Sequence, residues 1–109
     1  MTDYLILHHK NPTHRLDEEH KLDDGYLVSM SDYVHVAIVQ NVNSLGEVFE
    51  LTNHIDHDWT KNDRVTLFNK NATVNSIRST VVGDMALNLE TLELMICGPI
   101  GWEKAHWTS

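Results

Sequence analysis

Apolar and polar positions alternate along much of this chain. Asp3-Tyr4-Leu5-Ile6-Leu7-His8 reads as a short strand that Asn11-Pro12 ends. Residues 13–24 are dense in charge, and only Leu16 and Leu22 could anchor them as a short exposed helix or a loop. Asp24-Gly25 signals a turn. Tyr26–Met30 and Tyr33–Gln40 follow as two strand-like runs with Ser31-Asp32 between them as a two-residue turn. The second run is rich in β-branched residues. Strict alternation would place Val34, Val36, Ile38 and Gln40 on one face and Tyr33, His35, Ala37 and Val39 on the other. Ser44 then offers an N-cap, with Glu47 three residues later in a capping-box pattern. Leu45, Val48, Leu51 and Ile55 recur at helical spacing, which predicts one helix over about residues 45–55, slightly weakened by Gly46.

Residues 56–80 lack a clear period, apart from a short strand expected near Val65–Phe68. Alternation returns at Met85–Leu89 and Leu92–Cys97, a β-hairpin turning at Glu90-Thr91. Gly98-Pro99 and Gly101 break it, and Trp102–Trp107 are expected as a short tail. These elements predict a small α+β domain: an antiparallel sheet of about four or five strands with one main helix on one face. A chain of 109 residues is a single domain, 1–109, with 1–25 a partly irregular, charged N-terminal segment.

Charge narrows the functional classes. Lys plus Arg is 8 and Asp plus Glu is 16, a formal net charge of −8. The cations are few and scattered, which disfavours direct nucleic-acid binding and docking on an anionic membrane. An acidic chain of this size suits a protein partner with a basic surface; charge of this sign also keeps a chain soluble. One cysteine, Cys97, permits neither an internal disulfide nor a zinc ribbon, so a reducing cytoplasm is expected. No apolar run approaches a membrane span of about 20 residues.

Several residues could carry chemistry. His54, Asp56 and His57 are ligand types for zinc, manganese or iron at the predicted helix end, with His35 or Asp84 as a third source. A polar helix terminus has the same composition, because His meets the dipole and Asp opens the loop. Eight histidines is a high count, and His8-His9, His14 and His20 fall in the first twenty residues, where a solvated segment or a titrating cluster is expected. Arg78-Ser79-Thr80 before Gly83-Asp84 could hold a carboxylate or phosphate, or turn the chain into the hairpin. Cys97 sits in a strand pattern and is expected to be buried and inert. Trp59, Trp102 and Trp107 fall outside periodic core positions, where tryptophan either folds over a sheet edge or anchors an interface.

Leu51-Thr52-Asn53-His54-Ile55-Asp56, then Trp59, Asn62 and Val65, then Arg78-Ser79-Thr80 and Val82-Gly83-Asp84, with Gly101-Trp102 near the end, resemble a group of small accessory proteins encoded by bacteriophages, plasmids and integrated elements. The resemblance spans about residues 33–103. Its specific part is the Arg-Ser-Thr-x-Val-Gly-Asp turn, where Val81 departs from the Ser of the group. It implies origin rather than chemistry, since no catalytic role carries over.

The leading expectation is a non-enzymatic accessory protein that binds, and can inhibit, a host defence or nucleic-acid-handling protein with a basic surface. Trp59, Asp56, Asp58, Arg78, Trp102 and the acidic Asp17, Glu18 and Glu19 are its candidate contact residues. No cofactor is expected under this reading. A rival is a small metal-dependent hydrolase or nuclease using His54, Asp56 and His57. A third is a virion or assembly component acting by self-association, as a homo-oligomer.

Overall fold

The computed structural model describes residues 1–10, 21–22, 25–53, 63–67, 79–99 and 101–107. Its described strands, in chain order, are β1 (Thr2–His9), β2 (Lys21–Leu22), β3 (Gly25–Val28), β4 (Tyr33–Val42), β5 (Val65–Leu67), β6 (Met85–Asn88), β7 (Leu94–Cys97) and β8 (Trp102–Trp107). Among the described residues one α-helix, α1 (Leu45–Thr52), follows β4, and a 3-10 turn at Met30–Asp32 joins β3 to β4. The α+β class with one helix is as expected. The strand count is not: eight described strands, β2 only two residues long, exceed the four or five predicted. The sheet runs β2-β3-β8-β7-β6-β1-β4-β5. It is mixed rather than wholly antiparallel, because β3 and β8 pair in parallel.

One added strand and one changed pairing correct the expectation. Trp102–Trp107 is not a tail. Gly98-Pro99 and Gly101 turn the chain back, with the Gly98 N–H donating to the Gly101 carbonyl at 2.7 Å, and β8 then pairs with β7. A Cβ at Gly98 would lie 2.8 Å from that carbonyl oxygen, so the turn closes only around glycine. Second, β3 and β4 do not form a hairpin across Ser31-Asp32. β3 pairs instead with β2 and β8, on the far side of the sheet from β4.

That connection forces the sheet to curl. Five strand spacings of about 4.8 Å separate β3 from β4, roughly 24 Å in a flat sheet. The link from Val28 to Tyr33 is five residue steps, which reach about 18 Å at full extension. The sheet must therefore bend until its ends approach, and Lys10, just past β1, donates its N–H to the Asp32 carbonyl at the closing corner. The concave side fills with Leu5, Leu7, Tyr26, Val28, Tyr33, Met85, Leu94, Ile96 and Ala105. Helix α1 covers the opposite face, where Val48 is fully buried against Tyr4, Ile6, Val39, Val42 and Ala86. Both faces of the central strand β1 are thus buried, which explains its continuous apolar run.

The alternation expected for Tyr33–Gln40 also breaks. A register shift sits between Ile6 and Leu7, so Leu7 pairs with His35 and Ile6 with Ala37. Val36 is the extra residue of this bulge, and Val36 and Ala37 are buried in succession while Val34 and His35 are both exposed. The helix begins as its cap predicts: the Glu47 N–H donates to the Ser44 Oγ at 3.2 Å. The Glu47 side chain does not return to the cap; its Oε1 meets Arg64 at 3.1 Å, and Arg64 also donates to the Asn41 carbonyl, tying α1 to the β4–β5 edge. Described helix ends at Thr52, before Ile55, which lies outside the described residues. Among those residues no helix is long and apolar enough to cross a membrane.

Candidate functional site

A buried polar cluster forms where the C-terminal end of β1, the end of α1 and the turn before β6 converge. Strand period places His8 on the same face as Tyr4 and Ile6, and therefore under the helix side of the sheet. It is 3% exposed, and Thr80 and Asp84 beside it are fully buried. His8 Nε2 lies 3.0 Å from Thr80 Oγ1 and 4.0 Å from Asp84 Oδ2.

The Asp84 carboxylate organises its own turn. Oδ2 accepts the Val81 N–H at 2.8 Å, Oδ1 accepts the His9 N–H at 2.8 Å, and the Asp84 N–H donates to the Val81 carbonyl. One side chain thus closes the Val81–Asp84 turn and pins it to β1. The Thr80 N–H donates to the Thr52 carbonyl at 2.9 Å, satisfying one of the groups a helix end leaves open. The Asn53 amide donates back to the Thr80 carbonyl at 2.7 Å. Thr52 Oγ1 donates to the Val48 carbonyl, so that hydroxyl is satisfied inside α1. The Thr52-Asn53 and Ser79–Asp84 segments, 26 or more residues apart in sequence, are stitched together here by main-chain and amide bonds.

On the concave side of the same turn, the Tyr33 hydroxyl donates to the Gly83 carbonyl at 2.6 Å. Burial, and then the negative charges of Asp84 and Asp32, push its pKa far up, so the phenol stays protonated and donating. His9 packs edge-on to the Tyr33 ring at 5.0 Å between centroids. Cys97, across the turn, exchanges main-chain bonds with it: its carbonyl accepts the Gly83 N–H and its N–H donates to the Asp84 carbonyl. Burial, with the Asp84 charge second, pushes the Cys97 thiol up to about 11. It is a neutral thiol at physiological pH, matching the inert cysteine expected.

Threonine, histidine and aspartate in contact suggest a nucleophile–base–acid relay. The geometry differs from one. A relay uses both ring nitrogens, one toward the nucleophile and one toward the acid. Here Thr80 and Asp84 approach the same nitrogen, and the Asp84 oxygens already serve two main-chain donors. Thr80 is itself fully buried. The cluster holds the turn, β1 and α1 in register, which is a structural task.

His54, Asp56, His57, Asp58, Trp59, Arg78, Asp17, Glu18 and Glu19 lie outside the described residues. Trp102 is described: it begins β8 and is partly buried against the α1-side core. Of the supplementary metal ligands, His35 is exposed on β4, whereas Asp84 is buried in its turn; they are not brought together around a common site. Among the described residues no group of three His, Cys, Asp or Glu side chains could hold a metal ion. His8 was expected in a solvated histidine-rich segment and is instead interior. The signal that finds it is the strand period itself, since Tyr4, Ile6 and His8 share one face. No family model, curated protein or solved structure matches the chain.

Proposed function

We propose that this chain is a non-enzymatic binding protein of the mobile-element accessory type, engaging a host protein through its surface and blocking that protein's action. The observation that carries this reading is where its polar chemistry resides. The cluster built by the Thr80–Asp84 turn is sealed inside and its bonds are made within the fold, while the surface offers exposed aliphatic side chains, Leu92 and Leu89 among them, and a net charge of −8. Carboxylates steer a basic partner and raise its rate of encounter; apolar side chains desolvated at contact supply the affinity. The resemblance of the Thr52-Asn53 and Ser79–Asp84 segments to phage and plasmid accessory proteins favours a host protein as the target.

The test is reconstitution. The tagged chain is used to capture partners from lysate of its natural host. The recovered protein is then purified separately and mixed with the chain. A complex near one-to-one on size exclusion, weakening as salt rises, is the expected result. Failure of every captured protein to re-form a complex when purified would refute the reading.

A further inference from the structure

The β6–β7 hairpin closes through a loop at residues 89–92. The Asn88 N–H donates to the Glu93 carbonyl, the Leu92 N–H donates to the Asn88 carbonyl, and the Asn88 side chain accepts the N–H groups of Glu90 and Thr91. This loop ends on Leu92 with φ of 65°, a left-handed conformation that glycine adopts freely and a leucine does not. The leucine side chain gains no burial from this position: it is 70% exposed, and Leu89 on the same loop is exposed as well.

Beside Leu92 lies a groove of about 530 Å3. It arises from the way β8 divides its pairing. Trp102–Lys104 pair with β7, and Ala105–Trp107 pair with β3. Leu92, Leu94, Ala105 and Trp107 give the groove its apolar surface, with Glu93, Lys104 and His106 also lining it. It is a half-open surface groove rather than an enclosed cavity, a shape that suits an extended segment laid along it. Glu90 stands on the same loop and Glu93 just beyond it, so carboxylates flank the exposed leucines.

We propose that the tip of the β6–β7 hairpin and this groove seat an extended, apolar segment of a protein partner that carries lysine or arginine beside its apolar side chains. This rests on the binding function proposed above and locates its surface. Charge selects the occupant. Inside the groove Lys104 offsets Glu93, so charge selects at the exposed tip: a second copy, of net charge −8, would bring its own negative charge against Glu90, whereas a segment carrying lysine or arginine at that end meets Glu90 favourably. The apolar side chain would cover Leu92 and enter the space above Leu94 and Ala105.

The test uses the whole chain and an array of short randomised peptides. Wild type, Leu92→Gly and Val34→Ser are compared; Val34 is equally a solvent-exposed aliphatic residue but lies on β4. Peptides enriched by wild type are expected to combine an aliphatic or aromatic residue with lysine or arginine. Their affinity in solution should fall about tenfold or more in Leu92→Gly, the scale of one leucine lost from a contact. It should stay unchanged in Val34→Ser. Glycine suits the backbone here, so Leu92→Gly should keep or raise the thermal midpoint, which separates lost binding from lost folding. Equal affinity in Leu92→Gly overturns the proposal, as does enrichment without basic residues or no enrichment at all. A concentration-dependent dimer abolished by Leu92→Gly also overturns it, by making a second copy the occupant. If a reconstituted host complex survives Leu92→Gly, this docking site fails while the binding function stands.

Discussion

Replacing Asp84 by asparagine tests whether the buried cluster is a structural keystone. The two side chains have nearly the same shape, so packing is preserved and hydrogen bonding changes. In the native chain Oδ1 and Oδ2 each accept a main-chain N–H at 2.8 Å, from His9 and Val81. Asparagine keeps one acceptor and turns an NH2 group toward the other donor. One charge-assisted bond is lost, worth about 1.5–3 kcal/mol, and a partly buried N–H is left facing a donor. The expected cost is therefore about 2–4 kcal/mol, a large share of the roughly 5–15 kcal/mol that holds a domain folded. Asp84→Ala removes both acceptors and should cost more. Urea unfolding followed by circular dichroism, with the slope checked for constancy, gives the free energy. The thermal midpoint should fall by roughly 8 °C or more. A second readout is specific to the charge: the Asp84 carboxylate helps hold the Cys97 thiol proton, so Asp84→Asn should lower the alkaline midpoint of thiol modification. A midpoint of unfolding within about 2 °C of wild type in Asp84→Asn would refute the account of the turn, because such a loss is too small for even one charged hydrogen bond.

Three further outcomes follow from the geometry. Gly25→Ala should loosen β3 from β8, since φ is 141° and a Cβ would run into the Lys104 carbonyl oxygen; hydrogen exchange at Tyr26–Val28 should accelerate before that of β1. Ile6→Ala should cost about 2–5 kcal/mol in denaturant unfolding, because Ile6 is fully buried under α1 and the cavity has little room to collapse. Alkali should destabilise the fold through Cys97: its folded value lies above its ordinary one, so the stabilising neutral thiol is intact below about 9 and lost as pH rises through about 11. Cys97→Ala should flatten the pH dependence of unfolding in that window.

Local signals were most legible where a few neighbouring residues decide the outcome. Ser44 and Glu47 announced the start of α1, and the main-chain half of the capping box forms as read. The other half does not, because Arg64 from the β5 region draws the Glu47 carboxylate away. Strands β1, β6 and β7 were legible from alternation or from an apolar run. β8 was not: Trp102-Glu103-Lys104-Ala105-His106-Trp107 shows no clean alternation, since one half answers to β7 and the other to β3. The alternation of Tyr33–Gln40 misled for a related reason, a bulge opposite β1 that no local pattern encodes.

By itself, the order of residues determined the class of the domain, the start of its helix, an apolar first strand and the net negative charge. Each depends on interactions within a few residues or on composition. Tertiary structure decided which strands are neighbours, and through them the curl of the sheet, since a four-residue link at Ser29–Asp32 must close a distance the flat sheet would not allow. It also decided that His8, expected among solvated histidines, is interior. Its partners Thr80 and Asp84 are more than seventy residues away, and only the folded chain brings their hydrogen bonds to it. Alternation can report that a position faces the core, but the group that waits there to satisfy it is set by long-range pairing.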